Sequence, residues 1–213
     1  VREALQEHLH ALDAGFLRMH SVLLEQLALV RQAVQNTQTT GIGAAVKELD
    51  AEIDQLETDL ENRLLSVIAL QQPVARDLKL ILLILKSLSD LERAGDYAAH
   101  IARNLEELSR DVRISGSLDL LPLLTHLSGM VERAAYAFIE RDANAARDVI
   151  QMDDGIDAMY EQLQRASLTR VLEDPRLIGT SLQINTLARS VERLADHLVN
   201  VAERLERTFG SHT

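Results

Sequence analysis

Cysteine and tryptophan are both absent from this 213-residue chain. Without cysteine there is no disulfide and no thiolate metal site, and the redox state of the compartment leaves no trace in the sequence. Aromatic residues make up only 3%, so Leu, Ala and Ile must fill the core, as they do in helix bundles. Long apolar runs are missing as well. The longest, residues 80–85, lies between Lys79 and Lys86 and is far too short to span a bilayer. No signal peptide is legible. Positive charge is in deficit, with a net −11. That argues against nucleic acid, whose binding needs Lys and Arg clustered on one face, and against a resting contact with anionic lipid. It allows a bound cation or a basic protein partner. Proline occurs three times, at Pro73, Pro122 and Pro175, and no stretch alternates with the period of a strand.

What is present reads as helix throughout. Hydrophobic residues make up 46% and charged residues 26%, the balance of a soluble globular protein. Leu5, Leu9, Leu12, Phe16, Met19, Leu23, Leu27 and Val30 recur at helical spacing, predicting one helix from Arg2 to about Asn36. The polar stretch NTQTTGIG (36–43) ends it. A second stripe follows at Val46, Leu49, Ile53, Leu56, Leu60, Leu64 and Val67, ending near Gln71 and Gln72. Pro73 suits the first turn of a third helix that reaches about Ser109. The segment 109–119, with Ser115-Gly116-Ser117, reads as the linker. A fourth helix places Pro122 in its first turn with Asp119 as a candidate cap, and the connection at Asp142 is tight. A fifth helix carries Val149, Met152, Ile156, Met159 and Leu163. Asp174-Pro175 marks a turn, and a sixth helix runs to about Thr208.

The second half repeats the first. SDLERAGDYAAHIA (89–102) returns as RSVERLADHLVNVA (189–202), aligning Glu92 with Glu192, Asp96 with Asp196 and Ala102 with Ala202. Asp50-x-x-Ile53-Asp54 returns as Asp153-x-x-Ile156-Asp157, and Pro73 as Pro175. The expected architecture is all-α: six helices in two tandem three-helix bundles, residues 1–110 and 117–210.

Carboxylates four apart on one helix repel by a few tenths of a kcal/mol when exposed, and more when crowded by apolar neighbours. Here that cost recurs in each half. Asp50 and Asp54 precede Pro73 by about 20 residues, and Glu92 and Asp96 follow it by about 20, so both pairs lie roughly 30 Å from the turn on antiparallel helices. Asp153 and Asp157 stand in the same relation to Glu192 and Asp196 across Pro175. The spacing makes the pairs level; it does not make them face one another. Acidic residues beside a bundle seam are ordinarily solvated or paired, and Arg93, Arg103, Arg193 and Arg204 are available for that. The functional alternative is a hard-cation site, for which carboxylates with an occasional imidazole suit Mg, Mn or Fe, and less obviously Zn. His100 extends one row, and His197 adjoins Asp196.

The segments LQQPVARDLKLI (70–81), SDLERAGDYAAHIA, DDGIDAMY (153–160), LEDPR (172–176) and VERLADHLVNVAE (191–203) resemble the PhoU family, cytoplasmic regulators associated with phosphate uptake and phosphate signalling in bacteria. The resemblance implies a duplicated three-helix fold, usually a homodimer. It also implies acidic E/D-x-x-x-D motifs that bind metal clusters in some members, here Asp50/Asp54, Glu92/Asp96, Asp153/Asp157 and Glu192/Asp196, with His197 beside the last. The implied partners are the ATP-binding subunit of a phosphate transporter and a sensor histidine kinase, with the family restraining the phosphate-starvation response. The implied location is cytoplasmic, peripheral at the inner membrane face through those partners. The chain departs from the family pattern at Tyr97, where His is common, and at His100, where Asn is common, which sets the first metal site below the second.

Rival readings remain. A ferritin-like di-metal enzyme needs two Glu-x-x-His motifs on core helices, and only Glu7-x-x-His10 fits. A histidine phosphotransfer domain needs an exposed nucleophilic His, and no equivalent pair of histidines recurs in the halves. A purely structural helical adaptor is the third. The sequence carries no nucleophile–base pair, phosphate-cradling glycine loop or cofactor fingerprint, so the expectation is a protein that is not an enzyme.

Overall fold

The computed structural model describes residues 2–109 and 120–210, with residues 2–4 as backbone alone. The expected break at Ser115–Ser117 and the Asp119 cap lie outside the described residues. Within them there are six helices: α1 (Arg2–Gln35), α2 (Ile42–Gln71), α3 (Ala75–Ser109), α4 (Leu121–Glu140), α5 (Ala143–Glu173) and α6 (Ile178–Phe209). A single 3-10 turn, Pro175–Leu177, precedes α6. None of these helices is long and apolar enough to cross a membrane.

The helix ends follow from local chemistry. Gly41 enters α2 at a φ of +79°, a conformation that L side chains rarely adopt. The cap for α2 comes from across the bundle, where the Glu106 carboxylate accepts from the Gly41 and Gly43 amides at 3.2 and 3.1 Å. Pro122 sits in the first turn of α4, where its missing N–H costs nothing. Asp142 caps α5 by accepting from the amides of Asn144 and Ala145. Pro73 differs from expectation. It lies ahead of α3, not in its first turn, because Val74 supplies the first carbonyl, accepting from the Leu78 amide at 3.0 Å. Gln72, kept from the right-handed helical region by the proline that follows it, ends α2 in the left-handed conformation at φ 45° and leaves α3 to begin at Ala75.

Helices α1–α3 pack on one another as one bundle and α4–α6 as the other, with α2 and α5 on the outer flanks. The halves meet through α1 against α4 and, most extensively, α3 against α6. Both crossings run antiparallel. The Tyr97 ring stacks on His197 at 5.7 Å, and seven residues earlier on α3, Asp90 meets Arg204, seven residues later on α6. Likewise Phe16 meets Phe138 at 4.6 Å while Asp13 meets Arg141. The turns at Pro73 and Pro175 therefore point to opposite ends of the molecule, each about 20 residues, or roughly 30 Å, from the α3/α6 crossing.

The core is aliphatic and continuous through both halves, from Leu12, Leu23, Ile53 and Leu64 to Leu127, Leu187 and Leu198. Burying each such side chain contributes about 1.5–3 kcal/mol. At Gly15 an added Cβ would stand 2.6 Å from Leu60 Cδ2, so the missing side chain lets α1 and α2 close on each other. Gly95 does the same for α2 and α3, with consequences for the acidic residues nearby.

Candidate functional site

In the first half the four matched carboxylates occupy different environments. Asp50 is fully buried and Asp54 is exposed, while Glu92 and Asp96 are half-buried. The expectation that Asp50 merely flanks the α2 seam is corrected here: it enters the seam, and its neighbour Leu49 is displaced to a half-buried position. The reason lies on α3. Gly95 has no Cβ, and one built there would stand 2.8 Å from Ile53 Cδ1 and 3.1 Å from Asp50 Oδ1. Gln26 of α1 reaches the same point, donating from Nε2 to the Val46 and Gly95 carbonyls at 3.2 and 3.4 Å.

Two oxygens at this point have no hydrogen-bond partner although both are buried: Asp50 Oδ1 and Gln26 Oε1. Both are acceptors, so neither satisfies the other. The second Asp50 oxygen accepts from Lys47 Nζ. Burial pushes the Asp50 carboxyl above its ordinary range despite that ammonium, and Asp96 and Asp54 add to the rise. Lys47, on the solvent side, is held more firmly protonated by Asp50, Asp54 and Asp96. Burial, together with the charges of Asp96, Glu57 and Asp54 against the opposing pull of Arg93, pushes Glu92 up to about 7.

The second half lacks a lysine at the corresponding place: counting back three from Asp153, as Lys47 stands to Asp50, gives Ile150. Asp153, Glu192 and Asp196 are half-buried and Asp157 is exposed. Asp153 is pushed up to about 6 by burial and by the charges of Asp157, Asp196, Asp154 and Glu192. Arg193 pairs with Asp196 at 3.3 Å; among the described residues no ion pair reaches Asp153, Asp157 or Glu192.

His197 joins a different group from the one its sequence position suggests. Its Nδ1 lies 2.7 Å from Asp90 Oδ1, across the α3/α6 crossing. Asn200 donates to the same oxygen at 3.0 Å, and Arg204 Nη1 donates to Asp90 Oδ2. Burial alone would raise Asp90, but these three donors and the Arg204 charge outweigh it and bring the carboxyl down to about 2. Sequence reasoning did not find Asp90. The available signal was its spacing: Asp90 lies between Ser87 and Ala94 on the buried stripe of α3, where a carboxylate requires partners.

The donor types, carboxylate and amide oxygen, are those a hard cation takes. Buried carboxylate and amide oxygens without partners in the first half, and mutually repelling carboxylates in the second, are what such an ion would satisfy. Among the described residues no three His, Asp or Glu side chains already converge as a metal cage. Glu7 and His10, the pair a ferritin-like reading would need, are both exposed on α1. His100 is exposed at the mouth of a cleft of about 390 Å³, beside Asp96, Lys47 and Arg103.

The PhoU domain family model matches residues 16–105 and again 120–205. A phosphate-specific transport system accessory protein PhoU homolog of Deinococcus radiodurans is 40% identical over 205 residues, spanning 96% of this chain and 96% of that one. Among solved structures, PhoU from Pseudomonas aeruginosa superposes with a TM-score of 0.87 at 32% identity, covering 95% of this chain and 97% of that one. The phosphate transport system regulatory protein PhoU from Streptococcus pneumoniae shares the fold, with a TM-score of 0.83 at 24% identity over 96% of each chain.

Proposed function

The chain belongs to the PhoU family, and from that premise we propose that it regulates phosphate uptake by docking, as a homodimer on the cytoplasmic side, onto the ATP-binding subunit of a phosphate transporter and onto a sensor histidine kinase. In this role it restrains the phosphate-starvation response when phosphate is plentiful, and it works by contact and not by catalysis. End-to-end similarity to a phosphate transport accessory protein carries the reading.

The distribution of exposed apolar surface supports it. Leu70 and Val74 at the α2–α3 turn, and Leu172, Ile178 and Leu182 at the α5–α6 turn, are among the most exposed large apolar side chains, Leu70 and Leu172 at 77% and 76%. Apolar patches of this kind mark contact sites. Arg76 and Lys79 outnumber Asp77 at one turn, while at the other Arg170 and Arg176 are balanced by Glu173 and Asp174, with Arg176 paired to Asp174 at 2.9 Å. A partner with an apolar groove fits both ends, and an acidic rim suits the α2–α3 turn.

The carboxylates hold a divalent or ferric ion in this reading, Fe, Mn, Mg or Zn, with Asp153, Asp157, Glu192 and Asp196 as ligands in the second half. Such an ion would tie α5 to α6 and relieve the repulsion that raises Asp153.

The test is a reporter of phosphate starvation in high phosphate. Deleting the gene should release the reporter, and the wild-type gene should restore repression. Leu70→Asp with Leu172→Asp should fail to restore it at matched protein levels, because both sites are surface positions whose loss spares the core. Intact repression in the deletion strain overturns the reading.

A further inference from the structure

A cleft of about 740 Å³ opens where α3 begins, and both halves of the chain build it. Leu5 and Leu9 of α1 and Val74 and Leu80 beside the α2–α3 turn come from the first half. Arg141 at the end of α4 and Phe209 at the end of α6 come from the second. The size, and an apolar lining carrying a few polar groups, are those of a small-molecule site. The α5–α6 turn has no counterpart. There α4 begins with Leu121 and Pro122 beside Met159, about 15 residues or roughly 20 Å short of the turn. Among the described residues no helix stands against that turn as α1 stands against the start of α3.

Three cations line the cleft, Arg76, Lys79 and Arg141, against one carboxylate, Asp77. On a chain of net −11 that is a local reversal of sign. Arg76 and Lys79 stand three apart on one side of α3. Both are exposed, and neither forms an ion pair among the described residues. Exposed cations are ordinarily solvated and by themselves decide nothing. Arg141 is held in place. Its Nη2 donates to Asp13 at 2.7 Å, and its guanidinium lies 4.3 Å over Phe138 and 5.4 Å over Phe209. Asp13 satisfies only part of it, since Nη1 is buried without a partner. A guanidinium fixed in this way is suited to a phosphate oxyanion, whose oxygens its planar fork matches.

We propose that this cleft binds a phosphate monoester with an apolar or aromatic organic part, the phosphate at Arg76, Lys79 and Arg141 and the organic part against Leu5, Leu9 and Phe209. A phosphate monoester carries close to two negative charges at neutral pH, which matches the two unpaired cations; a carboxylate carries one. An inorganic anion would leave the apolar lining uncovered. A free nucleotide and a lipid headgroup share this chemistry. The net charge of −11 opposes an anionic bilayer and sets the soluble ester first. Such a ligand touches α1 and α3 of one half and α4 and α6 of the other, so it ties the halves together. It does so beside Val74, on the surface proposed above for docking, although the site itself does not depend on that reading.

The experiment is calorimetry and thermal melting of the full chain with four probes: AMP, adenosine, inorganic phosphate, and phosphatidylcholine vesicles containing phosphatidic acid. AMP should bind with a Kd below about 1 mM and at least tenfold more tightly than adenosine or inorganic phosphate. It should also raise the thermal midpoint. Arg76→Gln with Lys79→Gln should weaken AMP at least tenfold and leave the midpoint of the free protein unchanged, because both side chains are exposed and unpaired. Binding to the vesicles and not to AMP, lost in the same double variant, upholds the phosphate ester and assigns it to a lipid. Three results would overturn the proposal: adenosine or inorganic phosphate binding as tightly as AMP, binding that the double variant does not weaken, or no binding of any probe.

Discussion

Removing the Asp90 carboxylate is the sharpest test of how the halves are held together. Asp90→Ala deletes the acceptor for His197, Asn200 and Arg204 at once and leaves Arg204, only 25% exposed, without its partner. The folded carboxyl lies near 2 against an ordinary 3.8. At 1.36 kcal/mol per unit that depression is worth about 2–3 kcal/mol of preference for the ionised form. Charge-assisted hydrogen bonds at about 1.5–3 kcal/mol each point to a similar range. A loss of about 2–4 kcal/mol should lower the thermal midpoint of a domain this size by about 5–15 °C. The sign with pH follows from a folded carboxyl below its unfolded value. The stabilisation is fully present above pH 3.8 and disappears as the pH falls toward 2, so the variant should lack that part of the wild-type acid slope. Urea denaturation at pH 7, 4 and 2.5, combined with Arg204→Met in a double-mutant cycle, measures both effects. A loss under about 0.5 kcal/mol at pH 7, or an acid slope unchanged by Asp90→Ala, would refute the reasoning.

Two further outcomes follow from buried groups. His20 is 1% exposed, donates from Nδ1 to the Phe16 carbonyl and has its Nε2 buried without a partner; burial lowers its pKa from 6.5 to about 4. The folded state refuses a proton that the unfolded chain accepts, so stability falls by about 3 kcal/mol as the pH drops from 6.5 toward 4. His20→Leu should flatten that part of the urea-midpoint profile, and an unchanged slope would show that His20 does not set it. Gly95→Ala should cost about 1–2 kcal/mol, since the crowding of Ile53 and Asp50 exceeds the gain in helix propensity. Ile53→Val in the same chain should recover part of the loss; no recovery would place the strain elsewhere.

The helices and their duplication were legible because both are written in local terms. Apolar spacing defines each stripe, and Pro122, Asp142 and Asp174-Pro175 mark starts and turns by the hydrogen bonds they can or cannot make. The level placement of the carboxylates was legible too, since it needs only a rise per residue. Which of Leu49 and Asp50 turns inward was not. Both border the α2 seam, and the choice is made by a glycine forty-five residues later on another helix. Asp90 escaped for a related reason: its three partners lie on α6, and its counterpart Ser190 is not a carboxylate, so a search for repeated charges passes over it.

The antiparallel crossing of α3 and α6 has one more consequence. Two identical units meeting about a two-fold axis would make every off-axis contact twice and would set each on-axis residue against its own copy. This chain does neither. Tyr97 meets His197 where a symmetric pair would set like against like. Asp90 meets Arg204, while the two-fold-related positions hold Ser190 and Asn104, which cannot form an ion pair. Joining the units in one polypeptide releases them from mutual complementarity with themselves. One copy can specialise as acceptor and the other as donor. A mixture of separated halves should accordingly favour the unlike pairing over either like one, so the fusion encodes which half sits against which.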